Sequence, residues 1–439
     1  MWHQHSALVH VRLVAVLEYF VKLPASTAAP AIPFGILIAA LLPFSFGYFL
    51  SQLLRAVNAV VAPNLQTDIG LTASELGLLT GAYLAAFACF QLPLGILLDR
   101  YGPRRVQFAL LLVAAMGAML FAVGTNVAML TAARALIGIG FAGGLMASFK
   151  AVALWVPEER RALANAYVMS LGGLGLLCAT APMEWVVGRF GWRTAFVGLV
   201  AVTVGAALLI LLAVPERRGG APGGTLGAQI RATGEILTDR VFWALAPLLG
   251  TTAGMHIAIQ TLWAGPWFRD VAGLDRGTAA TQLFWMAAAF VFGIFATGTV
   301  TDRFLRRGVS ELDVMAGFIA LFLAAQACII IDIVPLRLVA WMTFGMVGQA
   351  AILAYPWLSR HFGVARTGRA NSAMNLMIFA SAFFIQYAVG LIIDTYPRLP
   401  SGGFGPAAYQ AAFGLFFVIQ VLALVWFLSQ RPRLLPAKG

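Results

Sequence analysis

Long apolar runs alternate with short polar breaks along almost the whole chain. The charge-free runs include 76–98, 106–133, 162–183, 194–215, 241–268, 277–301, 338–359 and 370–393, each long enough for a helix across roughly 30 Å of hydrocarbon. Less clean runs at about 34–60, 129–153, 312–331 and 407–429 bring the predicted spans to twelve; two of these carry internal charges and two are short or run on into loop. The period-2 alternation of a closed barrel is absent, so the pattern predicts an all-α membrane protein with twelve transmembrane helices.

Composition agrees with the pattern. Of 439 residues 61% are hydrophobic and 10% charged, far from the balance of a water-soluble globule. Placing the N-terminus in the cytoplasm puts 18 Lys and Arg on cytoplasmic connections and the C-terminal tail, against 6 on external ones. Both termini are therefore expected inside. The net charge of +12 follows from this asymmetry and from anionic lipid surfaces, so no nucleic-acid partner is needed. Cys89, Cys178 and Cys328 all fall inside spans without metal-ligand spacing and read as small apolar fillers. Arginine outnumbers lysine 26 to 3, which, with the alanine and glycine content, points to a GC-rich bacterial source and hence to the bacterial cytoplasmic membrane.

Residues 1–33 form an N-terminal extension whose apolar stretch is interrupted by Glu18. It reads as a short surface helix or as an over-long choice of start codon rather than a signal peptide. The segment 215–240 is rich in glycine and in charges of both signs and reads as a cytoplasmic linker between two six-helix bundles, 34–214 and 241–430, with a cytoplasmic tail at 431–439. Internal echoes support the division. "GILLDRYGPRR" at 95–105, after the second span, returns as "GTVTDRFLRRG" at 298–308, after the eighth, with Asp99 and Asp302 203 positions apart. Ala164 and Asn165 return as Ala370 and Asn371 at an offset of 206.

Gly95, Leu97, Asp99, Arg100, Gly102, Arg104 and Arg105 resemble the signature that the major facilitator superfamily carries between its second and third helices, and Asp302 and Arg303 stand where that family repeats it. The second copy has Leu305 in place of the later glycine. The resemblance implies two pseudo-symmetric six-helix bundles, and it implies that Asp99 is a latch closing the cytoplasmic side, with the neighbouring arginines completing a charge network. Gly95 would let its helix approach a neighbour closely. The plainer alternative is that these charges serve only as topological anchors.

Inside the spans the ionisable residues are cations: Arg55 in the first, Arg134 and Lys150 in the fourth, with no Asp or Glu near the middle of any span. Such groups are costly unless they line a cavity or find partners, and the imbalance favours an anionic guest. Tyr48, Ser51, Gln52, Arg55 and Asn58 recur at spacings of three and four, a polar stripe suited to a watery cavity. Residues 46–65 resemble the first helix of the organophosphate:phosphate antiporters, where an Arg contributes to the anion site. That family's second substrate Arg, in the seventh helix, has no counterpart in 241–268, which argues for a carboxylate over a phosphate ester.

Arg134 and Lys150 stand about 160° apart around a helix and cannot both face one cavity. Arg134, in "RALIGIGFAGG", resembles the superfamily's fourth-helix motif, with a structural or gating role open beside ligation; Lys150 either meets substrate or snorkels to the surface. On the seventh span His256 and Gln260 are one turn apart, followed by Trp263 and Trp267. His256 is the candidate proton carrier, a neutral hydrogen-bonded histidine being the alternative. Gln349, Tyr355, Asn371, Asn375, Gln386 and Gln91 are further cavity-lining candidates, some of which would only bind helices together.

No nucleophile elbow, zinc-protease motif or P-loop occurs, so an enzyme is not expected, nor a cofactor or metal. The expected function is a secondary transporter for a small organic anion working by alternating access. The expected partners are that solute, a coupling ion for which the proton is the candidate, and membrane lipids, and the protein is expected to be monomeric. The alternatives are an efflux pump for amphipathic drugs and a transporter-like solute sensor.

Overall fold

Polar side chains and glycines at the ends of the apolar runs set where one helix stops and the next begins. Thr72 accepts from the backbone N–H of Glu75 while the Glu75 carboxylate accepts from the N–H of Thr72 at 2.8 Å, a reciprocal cap that satisfies donors a helix start leaves open. Asn126, Asp239, Asp275 and Ser310 cap other helices in the same position. Gly70 ends the first span in the left-handed region, at φ 77°.

The computed structural model describes residue 35 and residues 41–215, 226–363, 366–400 and 402–434; the N-terminal extension expected at 1–33 and residues 216–225 of the linker lie outside the described residues. Ten helices are each long and apolar enough to cross a membrane. One of them, Ala73–Val123, is two spans, because Gly102 turns the chain with φ 79° and ψ 160°, a conformation open to glycine alone without strain. With the interrupted first span this makes twelve among the described residues. They are α1 (Leu42–Ala56, resumed as Asn58–Ile69), α2 (73–101), α3 (103–123), α4 (Val127–Phe141 and Gly144–Trp155), α5 (Glu158–Cys178, continued by Ala181–Phe190) and α6 (Trp192–Ala213). A linker helix (Leu226–Leu237) follows. Then come α7 (Arg240–Ala258, a π-helical turn Ile259–Trp263, and Ala264–Asp270), α8 (Arg276–Leu305), α9 (Glu311–Ile331), α10 (Arg337–Val347 and Ala354–Phe362), α11 (Thr367–Asp394) and α12 (Pro406–Leu434).

The expected end of the first span, near residue 60, is moved: α1 continues to Ile69. Its added turns carry Asn64, Gln66, Thr67 and Asp68, polar residues that belong to a helix end beyond the hydrocarbon and so escape a hydropathy criterion. The linker contains a helix, and α12 runs to Leu434.

Three seams join the first six helices to the last six: α2 packs along α11, α5 along α8, and α1 meets α7 around the π turn. The repeat relates the first two, since adding six to α2 gives α8 and subtracting six from α11 gives α5. The end of the molecule carrying Asp99, Asp302 and the linker helix is called the linker end below; the opposite end is the far end.

Candidate functional site

Arg55 sits two residues before the one-residue interruption of α1 at Val57, at the seam between the halves. Its guanidinium carbon lies 5.1 Å from the ring centre of Phe87 on α2 and 5.5 Å from that of Phe379 on α11. The centres of the two rings are 4.7 Å apart and their planes are tilted by 42°. Such faces attract a cation through the ring quadrupole without neutralising it. Nε of Arg55 is buried without a hydrogen-bond partner, and no carboxylate is paired with this residue among the described ion pairs.

The polar stripe on α1 divides in the fold. Tyr48 and Ser51 turn into their own half, where Gly144 of α4 and Gly172 of α5 leave room for them. The Asn58 amide donates to Thr80 Oγ1 of α2 at 2.8 Å. Gln52 and Arg55 stay partly exposed.

Arg134 is fully buried. It donates to the Leu54 carbonyl at 2.8 Å and lies 4.9 Å from the centre of the Tyr83 ring. A cation of α4 thus holds the backbone of α1 one residue before Arg55. Burial of a charge is tolerable only with such compensation.

In the second half His256 is enclosed by Phe290 of α8, Phe322 of α9 and Phe344 of α10, with ring centres at 5.4, 6.3 and 5.5 Å. Its Nε2 has no partner, and Gly348 leaves its ring room that any Cβ would fill. It therefore packs among helices of its own half. Gln260 belongs to the π turn that meets α1 and α2, and its buried Nε2 is unpartnered; π turns recur at functional sites. Trp263 donates to the Gln386 carbonyl of α11 at 3.2 Å. Tyr355 donates to Asn375 Oδ1 at 2.5 Å, and Gln349 lies half-buried where α10 is interrupted.

At the linker end Lys150 Nζ donates to Asp99 Oδ1 at 2.7 Å. Two residues that the sequence places in separate roles are thus one ion pair between α4 and α2, and the Asp99 carboxylate is held inside its own half. Gly95 is half-buried on α2. Gly102 makes the turn between α2 and α3, Arg100 lies 5.3 Å from the Tyr101 ring centre, and Arg105 is exposed. Arg104 donates to the Leu211 carbonyl through Nε at 3.1 Å, capping the C-terminal turn of α6. In the second copy Asp302 pairs with Arg306 one turn on, and Arg303 is exposed.

Nothing in the sequence pattern singled out Phe87, Phe379 or Tyr83, since aromatic residues within an apolar run carry no periodic signal. A helix-pairing scheme with α2 beside α11 would have suggested the first two.

Comparison with known proteins agrees with this architecture. The sequence profile of the Major Facilitator Superfamily matches residues 44–386. A probable sulfoacetate transporter, SauU, of Cupriavidus necator is 26% identical over 59% of this chain, and the match spans 64% of that protein's length. The D-galactonate transporter of Escherichia coli O6:H1 is 23% identical over 84% of this chain and 91% of its own. Among solved structures, a bacterial homologue of the human lysosomal transporter Spinster superposes with a TM-score of 0.69 at 18% identity, covering 92% of this chain and 98% of that one. With the twelve spans and the profile match over most of its length, the chain belongs to the Major Facilitator Superfamily.

Proposed function

We propose that this transporter moves a small organic anion of carboxylate type across the bacterial cytoplasmic membrane by alternating access. The observation that carries the reading is Arg55, a cation at the seam of the two halves, flanked by Phe87 and Phe379. A guanidinium stays charged at any physiological pH. Aromatic faces, with no carboxylate paired to it among the described residues, leave it fit to take an anionic guest, and its planar fork suits a carboxylate or another planar oxyanion. Gln260, on the π turn facing α1 and α2, offers an unpartnered amide to the polar part of such a solute. The names of two relatives, a sulfoacetate and a D-galactonate transporter, are those of organic-anion carriers.

In this reading the linker end is cytoplasmic, which the distribution of Lys and Arg supports, and the bundles 34–214 and 241–430 are the moving bodies. Asp99 with Lys150 belongs to the cytoplasmic gate, so Lys150 acts there rather than as a second anion ligand while the pair holds. The likeness of α1 to the organophosphate:phosphate antiporters extends to the Arg and not to the phosphate ester.

Uptake into proteoliposomes from a panel of mono- and dicarboxylates, sulfonates, organophosphates and cationic dyes tests the proposal. Saturable uptake of carboxylates or sulfonates supports it. Transport of cationic dyes alone contradicts it and makes the protein an efflux pump for amphipathic compounds.

A further inference from the structure

Two acid-mediated contacts cross between the halves at the far end, and the internal repeat relates them. Asp394, in the last turn of α11, accepts from the backbone N–H groups of Ala73 at 3.0 Å and Ser74 at 2.7 Å, the first two residues of α2. Glu184, in the continuation of α5, accepts from Nε of Arg276 at 3.0 Å, and Arg276 is the first residue of α8. Arg276 also donates to Asn64 Oδ1 of α1 at 2.7 Å. Ala73 and Arg276 are 203 positions apart and the two acids 210, close to the offsets of 203 and 206 in the sequence echoes. Each half thus supplies a carboxylate at the far end of one helix that holds the first turn of a repeat-related helix in the other half.

The start of α2 shows how its satisfaction is divided. Thr72 takes the N–H of Glu75 from within the same half, whereas the N–H groups of Ala73 and Ser74 go to Asp394 of the other. A carboxylate placed there meets open donors and the positive end of the helix dipole together. Below it the seam is closed by glycines. A Cβ on Gly77 would stand 2.5 Å from the Gln386 carbonyl oxygen and one on Gly81 2.8 Å from the Phe383 ring, while one on Gly390 would collide with the Ala73 carbonyl oxygen. By contrast, the ion pairs described at the linker end, Asp99 with Lys150, Asp302 with Arg306, Glu311 with Arg360 and Asp313 with Arg431, each stay inside one half.

We propose that Asp394 and Glu184 are paired latches that hold the far end of the transporter shut, and that both let go when that end opens. The inference rests on the alternating-access reading. On opening, the N–H groups of Ala73 and Ser74 pass to water and α2 keeps only its own Thr72 cap, so the latch can release without unravelling the helix.

The test is a distance distribution by pulsed electron paramagnetic resonance, with spin labels on Thr67→Cys and Thr281→Cys, both exposed at the far end on opposite halves, in a background with Cys89, Cys178 and Cys328 replaced. Asp394→Ala, Asp394→Asn, Glu184→Gln and the combination of Asp394→Ala with Glu184→Gln are compared with Gly77→Ala, which wedges the same seam without touching either latch. The proposal expects about a tenfold rise in the ratio of long to short distances for Asp394→Ala, a smaller rise for Asp394→Asn, and a larger one for the double variant. An unchanged distribution in the latch variants, while Gly77→Ala lengthens it, overturns the latch and leaves alternating access standing. No lengthening in any variant overturns the latch and contradicts the alternating-access reading as well.

Discussion

The Arg55 guanidinium lies 5.5 Å from the ring centre of Phe379, so the candidate anion ligand of one half is faced by an aromatic side chain of the other. This contact makes the setting of Arg55 depend on how the halves meet. Cation–π contacts contribute about 0.5–2 kcal/mol depending on desolvation. Phe379→Leu, which keeps the apolar volume and removes the ring, should therefore raise KM for the transported anion by about two- to thirtyfold with the protein still folded. Uptake kinetics in proteoliposomes check this, and an unchanged KM would detach Phe379 from the site.

Asp99 and Lys150, joined at 2.7 Å, are each more than a quarter exposed. A pair so placed contributes little to stability, and the proposed cytoplasmic gate gives it a role in the conformational equilibrium instead. Asp99→Asn should slow turnover with little change in affinity, because it biases the two states without touching the anion site. Lys150→Gln should likewise leave KM within about threefold of wild type, since its charge is committed to Asp99. A rise in KM of about tenfold or more in Lys150→Gln would make Lys150 an anion ligand instead.

His256 is stacked on Phe290 and framed by Phe322 and Phe344, with Gly348 against its ring. This enclosure predicts a packing role. His256→Gln should lower the melting temperature while uptake still responds to an imposed pH gradient, and Gly348→Ala, which overpacks the same spot, should destabilise by about 1–3 kcal/mol. If His256→Gln abolishes the response to the gradient while substrate exchange persists, the ring carries the coupling proton.

The sequence made some layers of this molecule legible and hid others. Twelve spans could be read because hydropathy and charge are local signals. Arg55 stood out for the same reason, as a charge in an apolar run. What pairs across space was not legible: Lys150 and Asp99 are 51 residues apart, and Asp394 and Ala73 321. The split of the α1 stripe, with Ser51 turned toward Gly144 and Asn58 toward Thr80, depends on which helices pack beside it. Hydropathy periodicity finds a polar face and does not say what that face meets.

The central claim is that Arg55 binds a carboxylate-like anion, and anion-dependent thermal stabilisation tests it most directly. Melting curves of purified wild type, Arg55→Lys and Arg134→Lys are recorded with and without the anions that proteoliposomes take up. Lys keeps the charge and loses the planar fork, so the predicted result is stabilisation of wild type and Arg134→Lys by the anion, with about tenfold or weaker apparent affinity in Arg55→Lys alone. Equal stabilisation of all three proteins, or stabilisation by cationic dyes alone, would contradict the account.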